Sequence, residues 1–521
     1  MSLKDIKKSH VIIIAVIYMF TQGLLLLISG IWWDDWCWRD CQPELLLRIA
    51  LSAGRPSIFF IEGFLNLLPL WACRMITFIV YFFITLLLYG IFRYVFLCSE
   101  QDCLALCILF MSIPVNDARV MASIFPYTLG IFFFTIAFYF YVKRIIDGGR
   151  WYCRFLAHFL FCLSFILNSC LFLYSLVILY TLLKKRNLWE VFKFADFFVS
   201  PIVFFAAKSM MFPTYGIYEQ YNEFHFENIL WAIKNFLLQD WKLIKEIVVG
   251  VFDDYSHIPV VVGGGAAIFM MLHLIVHKKK IFLSKKLKTE CRENVKMSIL
   301  FMAAGTLVLS VGIFPYLVVR NGDIVTSGAG GRDAMLVPYG LCLMIYGAIL
   351  LIPLQSVRIG FVTTFIVFGI LFFNDSYLSY QADYYKQVGF YTLLKDNPEW
   401  SSYKTILYES GTDDLMLTRF YTLNAIACKA YGNQSRMFIE MRYNDAQLLK
   451  NHERLTEFAE NLNFYMRDFD VGYERVDAYI HYDCILYNKI DIVKLRMKEI
   501  LEMEDFVDSL KQYISYEMSE L

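Results

Sequence analysis

Asp34 and Asp35 are the residues best placed to do chemistry in this chain. They close the first long apolar run, 11–31, and sit among Trp32, Trp33, Trp36 and Trp38. Charge at the end of a bilayer-length run belongs at the membrane surface, where a carboxylate can take the proton of an attacking hydroxyl or bind a cation. Adjacent carboxylates repel each other, so at most one is the base while the other orients a cation or a substrate hydroxyl. Asp35 is the preferred base and Asp34 its alternate. The indoles are expected at the headgroup level, which would hold the acids where a lipid phosphate and a polar substrate meet. The plainer reading of such a pair is a solvated acidic loop.

Cations accompany the acids on one face if the apolar runs alternate across the bilayer. Arg55 lies in Gly54-Arg55-Pro56, and Asp117 and Arg119 share the second loop with Asn116. Lys208 stands just before Phe212-Pro213, and Arg320, Asp323, Arg332 and Asp333 occupy the stretch 318–334. Carboxylates combined with several fixed cations suit a reaction whose leaving group is a phosphate and whose acceptor loses a proton. Gly328, Gly330 and Gly331 allow a tight backbone path with amides open to an anion, and Arg332 adds a planar donor fork that matches phosphate. Each assignment has a structural rival: Arg55 as a snorkelling anchor, Asp117 and Arg119 as a local ion pair, Lys208 as a side chain reaching the interface, and the glycines as a surface linker. Gly263-Gly264-Gly265 reads as helix packing, His158 as a packed and hydrogen-bonded ring, Asn168 as a helix cap, and Asn433-Gln434-Ser435 as a chance glycosylation tripeptide. The membrane part carries no metal-ligand spacing, phosphate loop, dinucleotide fingerprint or Ser-His-Asp pattern, although the acidic pair is compatible with a divalent cation.

The elements that position these groups follow from composition. The chain is 58% hydrophobic and only 18% charged, with mean hydropathy +0.50, which describes an α-helical polytopic membrane protein. A net charge of zero gives no sign of a nucleic-acid partner. The runs 11–31, 74–97, 103–115, 120–142, 152–167, 170–183, 190–211, 258–277, 297–317, 335–354 and 357–373 predict about eleven transmembrane helices. Basic clusters at Lys4, Lys7 and Lys8, at Lys143 to Arg154, at Lys184 to Arg186 and over 278–296 share one side. The positive-inside rule makes that side cytoplasmic, with the N-terminus, and puts the acidic loop and the C-terminus outside. The first run is read as a retained helix, not a cleaved signal, of a multi-pass cell membrane protein. Residues 57–70 predict an interfacial helix in the external loop 32–73, and 212–257 predicts amphipathic helices lying on the membrane. After the membrane domain, 1–373, the composition becomes that of a soluble domain, 374–521. Strands are expected over 403–409, 437–441 and 476–482, with helices over 446–464 and from Asp491, giving an extracytoplasmic α/β domain with a parallel sheet. Two external cysteine pairs, Cys37 with Cys41 and Cys428 with Cys484, could form disulfides.

An acidic pair at the end of the first membrane helix, an interfacial helix in a large first loop, many further crossings and an external C-terminal domain together resemble the GT-C class of integral-membrane glycosyltransferases. Asp34-Asp35 followed by Gly54-Arg55-Pro56 is most similar to the bacterial polyprenyl-phosphate-dependent transferases that decorate surface polysaccharides. The resemblance implies a polyprenyl-phosphate-linked sugar as donor, a glycan acceptor and contact with membrane lipid. It makes Asp34 or Asp35 the base and Asp117 a counterpart of the second-loop acid of several GT-C families. Arg332, with Lys208 or Arg119, is assigned to the departing phosphate on charge alone. The rivals are a polysaccharide polymerase, a transporter of lipid-linked glycan, which would need polar residues near the bilayer midplane, and a non-catalytic assembly factor.

Overall fold

The first apolar run forms α1 (Lys8–Gln22), prolonged by a 3-10 turn over Gly23–Leu26. It ends where Gly30 adopts a φ of 128°, and a Cβ there would also strike Trp32 and Tyr384. The computed structural model describes residues 6–39, 42–148, 150–185, 187–219, 226–252, 263–266, 268–270, 291–319, 324–410, 420–432, 436–440 and 476–520. After α1 come α2 (Asp35–Trp38), α3 (Pro43–Ser52) and α4 (Pro56–Asn66). Proline opens α3 and α4, where its missing N–H is not needed by the helix. Phe60, Phe64 and Leu67 point outward from α4 and its end, as a helix at an apolar boundary requires.

The chain returns through α5 (Leu70–Val95), α6 (Glu100–Ser112) and α7 (Phe125–Phe140). Ser99 and Asp102 close a reciprocal cap on α6. Every side chain of α6 from Cys103 to Ser112 is buried, so its short apolar run is that of a central helix enclosed by others. Next are α8 (Trp151–Ser164), α9 (Asn168–Leu173), α10 (Ser175–Lys184), α11 (Leu188–Phe192) and α12 (Ala195–Met211). His158 of α8 lies 3.0 Å from Asp196 and stacks on Phe197, the packed role expected for it. α13 (Phe226–Phe252) is amphipathic: Leu230, Ile233, Leu237 and Trp241 are exposed on one face, while Ala232, Asp240 and Leu243 are buried on the other. The crossing expected over 258–277 lies largely outside the described residues; in its helical pieces, Gly264 and Gly265 approach Val367.

α14 (Cys291–Val318), α15 (Val337–Leu350) and α16 (Gln355–Asp396) complete the helical body. Gly305 and Gly340 let α14 and α15 touch backbone to backbone, and Gly369 does the same for α16 against Ser112. Among the described residues, five helical spans are long and apolar enough to cross a bilayer: Lys8–Leu26, Leu70–Val95, Ala122–Ile145, Asn294–Val318 and Gln355–Asp396. The chain is a multi-pass membrane protein.

α16 has 42 residues, about 60 Å at 1.5 Å per residue, roughly twice the thickness of a hydrocarbon core. The domain boundary drawn at 373 therefore falls inside one continuous helix. The far half of α16 supplies Tyr385, Phe390 and Leu394 to a second core, in which Phe390 meets Tyr408, Phe438 and Tyr482 of a four-stranded sheet. Its strands are β1 (Thr405–Ser410), β2 (Met437–Glu440), β3 (Ala478–Cys484) and β4 (Ile514–Glu520), in the order β2-β1-β3-β4. β1 runs parallel to β2 and β3, whereas β4, which the sequence reading missed, is antiparallel to β3. Helices α17 (Phe420–Tyr431), α18 (Lys489–Ile500) and α19 (Phe506–Lys511) flank it. Cys428 carries a free thiol, so no bridge to Cys484 is formed, and Cys41, the helix expected over 446–464 and the tripeptide at 433–435 lie outside the described residues.

Candidate active site

Asp35 opens α2 and is buried to 2% exposure. Its Oδ1 accepts from Ser123 N at 2.7 Å and its Oδ2 from Ala122 N at 3.2 Å, so both oxygens are held by the turn that leads into α7. Amides at a helix start are strong partners for a carboxylate. Burial raises the Asp35 pKa, and those amides together with the charge of Arg74 offset part of the rise. Arg74, at the start of α5, donates to the carbonyls of Ile28 at 2.9 Å, Gly30 and Val120, and lies 4.8 Å over the Trp32 ring. It thereby fastens the segment leading to the acids against the second loop.

Asp34 differs from its neighbour in being half-buried. Its Oδ1 accepts from the Tyr421 hydroxyl at 2.6 Å, a contact delivered by α17 of the C-terminal body. Glu62 of α4 is buried to 3% exposure close by, and burial plus the charges of Asp35 and Asp34 raise its pKa well above the usual carboxylate range. Trp32 and Trp33 are buried, against the expectation that they sit at the headgroup level. Trp32 is fully enclosed and donates to Tyr380 O at 2.9 Å, Trp33 lies under Arg332, and Trp36 donates to Gln387 at 3.2 Å beneath Lys429. Each of these three rings has protein partners.

Three of the cations singled out from the sequence converge. Arg332 stands 4.3 Å over the ring of Trp33, and its Nε is 3.6 Å from Asp333 Oδ1. Arg55 donates to the Tyr127 hydroxyl at 2.9 Å, and its charge acts on both Asp333 and Lys208. Lys208, half-buried on α12, donates to Asn168 Oδ1 at 2.6 Å, which gives Asn168 a role other than the cap expected. Burial raises the pKa of Asp333 against the opposing charges of Arg332 and Arg55. Arg119 does not join this group. It is enclosed at 2% exposure between Tyr81 and Phe373, donating to the carbonyls of Asn116 and Val115 at 2.8 and 3.2 Å, so it ties down the end of α6 instead of facing a phosphate. Arg320 and Asp323 lie outside the described residues.

Asp117 takes a positioning place. It is buried to 2% exposure, and a Cβ on Gly331 would sit 3.2 Å from its Oδ1. Asn116 N donates to Thr326 O at 3.0 Å, and Glu246 of α13 accepts from Thr326 N and Oγ1 at 3.2 and 3.1 Å, so α13 and the second loop both grip the segment carrying Arg332. The anion that the glycine-rich backbone meets is this carboxylate: the Gly328 amide faces Asp117. Burial pushes the Asp117 pKa up to about 7, with Gly328, Ser376 and Arg119 offsetting part of the effect. A folded pKa above the unfolded value means that ionisation costs stability, a cost absent below about pH 4 and complete above about pH 7. Thermal unfolding of the wild type and Asp117→Asn should therefore diverge as pH rises through this window, the variant gaining relative stability of on the order of 4 kcal/mol at most. A difference that stays flat from pH 4 to 8 would show that Asp117 is not held this way.

Sequence reasoning passed over Tyr127, Glu62, Arg74 and Tyr421. Arg74 was findable, since a lone arginine at the start of an apolar run needs buried acceptors; nothing in the sequence points from Tyr421 to Asp34. Among the described residues no group of three or more His, Cys, Asp or Glu side chains could hold a metal ion. Beside the cations, an apolar cleft of about 440 Å³ opens between α9, α10, α12, α13 and α14, lined by Phe172, Ile178, Pro201, Phe236 and Phe314. Leu171, which also lines it, is one turn from Asn168, the partner of Lys208.

No family model matches the chain, and no curated protein matches it. Among solved structures, it is similar to ArnT from Cupriavidus metallidurans bound to undecaprenyl phosphate, at 11% identity and a TM-score of 0.32. The apo form of the same protein gives 11% identity and 0.33, and either alignment covers 91% of this chain and 92% of that one.

Proposed function

We propose that this chain is a GT-C-like membrane glycosyltransferase that moves a sugar from a polyprenyl-phosphate donor to a glycan hydroxyl at the outer face of the cell membrane. The observation that carries the reading is the meeting of Arg55, Lys208 and Arg332, from widely separated segments, around Asp333, with Arg332 lying on the ring of Trp33, the residue before the half-buried Asp34. In this reading the acceptor oxygen attacks the anomeric carbon while the bond from that carbon to the phosphate oxygen breaks. Asp34 takes the acceptor proton, and the three cations offset charge on the departing lipid phosphate. One direct displacement inverts the anomeric configuration. The base assignment shifts from Asp35 to Asp34 because both oxygens of Asp35 are already engaged by backbone amides; Asp35 is the positioning residue. The apolar cleft, whose Leu171 is one turn from the Lys208 partner Asn168, suits an isoprenoid tail with its phosphate end toward Lys208.

The N-terminus is assigned to the cytoplasm and the C-terminal body to the outside, where Tyr421 and Trp36 join it to the acidic loop. Comparison of surface glycans from cells carrying the wild type, no protein, or Asp34→Asn tests the reading. Loss of the same monosaccharide branch in the last two is expected. Intact branches with shortened chains would favour a polymerase instead, and unchanged glycans would contradict any role in glycan assembly.

A further inference from the structure

α18 turns an apolar stripe outward from the C-terminal body. Ile490, Val493, Met497, Ile500 and Leu501 are 64, 45, 51, 46 and 63% exposed. Their spacing places them on one side of the helix, opposite Ile492 and Leu495, which are buried in the body's own core. At 100° per residue, Lys489 and Arg496 border one edge of the stripe and Lys494 and Lys498 the other. A continuous apolar strip of this kind on a soluble surface marks a contact.

The neighbours of α18 say which contact. Lys489 Nζ is 3.2 Å from Asp375 Oδ1, on the part of α16 that directly follows the apolar run 357–373. Arg496 Nε donates to Leu27 O at 2.5 Å, and Ser29 Oγ donates to Glu499 at 3.0 Å, both at the exit of the first apolar run. On that run Phe20 and Leu27 are themselves 64 and 55% exposed. The stripe thus continues the outward apolar surface of α1 at the level where α1 and α16 leave the hydrocarbon. We infer that α18 is seated in the headgroup region of a phospholipid bilayer, with its apolar stripe at the acyl boundary and its bordering Lys489, Lys494, Arg496 and Lys498, each paired with a carboxylate of the protein, at the level of the headgroups. Because α18 is fastened to α16 and α1, this contact sets the height of the body that brings Tyr421 to Asp34. The inference does not depend on the reaction proposed above.

The test uses the full-length protein in vesicles of phosphatidylethanolamine and phosphatidylglycerol. A photo-crosslinking phenylalanine analogue replaces Val493, Met497, Phe20 or Glu399 in turn, and the irradiated, digested protein is searched for lipid-modified peptides. Phe20 serves as the lipid-facing reference. Glu399 lies beyond the end of α16, more than about 30 Å along that helix from Asp375. Lipid adducts are expected at Phe20, Val493 and Met497 and lost at Glu399. Crosslinks from Met497 to a second copy of the chain, or no lipid adduct at Val493 and Met497 while Phe20 gives one, would overturn the inference.

Discussion

Sugar transfer by Asp34→Asn is expected to fall by about two to four powers of ten, the range a positioned general base contributes. The substitution keeps size and a hydrogen-bond acceptor for the Tyr421 hydroxyl, so the fold and the join to α17 should survive. Donor binding should change little, because Arg55, Lys208 and Arg332 are untouched. Single-turnover transfer in proteoliposomes separates these effects, with donor affinity measured in parallel. Asp35→Asn makes the informative contrast. Its oxygens hold Ala122 N and Ser123 N, and an amide can accept from only one of them in the same geometry, so its first effect should be on the thermal midpoint. Full transfer by Asp34→Asn alongside loss in an intact Asp35→Asn would return the base to Asp35.

Arg332→Ala is expected to slow transfer by about a hundred- to a thousandfold, the usual consequence of losing one preorganised donor to developing negative charge. Arg332 sits on Trp33 with its Nε toward Asp333, which places it between the acidic loop and the carboxylate that also feels Arg55. Lysine at this position keeps the charge but not the planar fork or the stacking, so Arg332→Lys should recover only part of the rate. Because the charge on phosphate grows as the sugar departs, kcat should drop more than donor affinity. An effect on donor affinity alone, with kcat unchanged, would make Arg332 a binding group and move the leaving-group role to Arg55 or Lys208.

The membrane character was legible because lipid-facing and buried surfaces are both apolar, which no soluble domain matches. The convergence of Arg55, Lys208 and Arg332 was legible in outline from alternation of the runs across the bilayer. The partners of each residue were not. Periodicity gives no means of telling that Trp32 would be roofed by Arg74 and Tyr380, since an indole satisfies a headgroup or a carbonyl equally well. The glycine stretch reads in sequence as backbone open to an external anion, and the carboxylate its Gly328 amide meets in the structure is Asp117. Asp34 and Asp35 are interchangeable in sequence, and only the direction of α2 puts one against amides and the other against Tyr421. The composition changes near 373 while α16 runs on unbroken, because a helix needs no change in its backbone where its side chains pass from the first core to the second. β4 escaped notice because its outward residues, Ser515, Glu517 and Ser519, dilute the apolar signal of an edge strand.

The most direct measurement of the central claim follows a labelled sugar on a polyprenyl phosphate carrier in vesicles containing the purified protein and a glycan acceptor. If the acid and the cations form one transfer site, label moves to the acceptor with inverted anomeric configuration, and one free polyprenyl phosphate is released for each sugar transferred. Label that crosses the bilayer while still attached to its lipid, with no carrier released, would contradict the account.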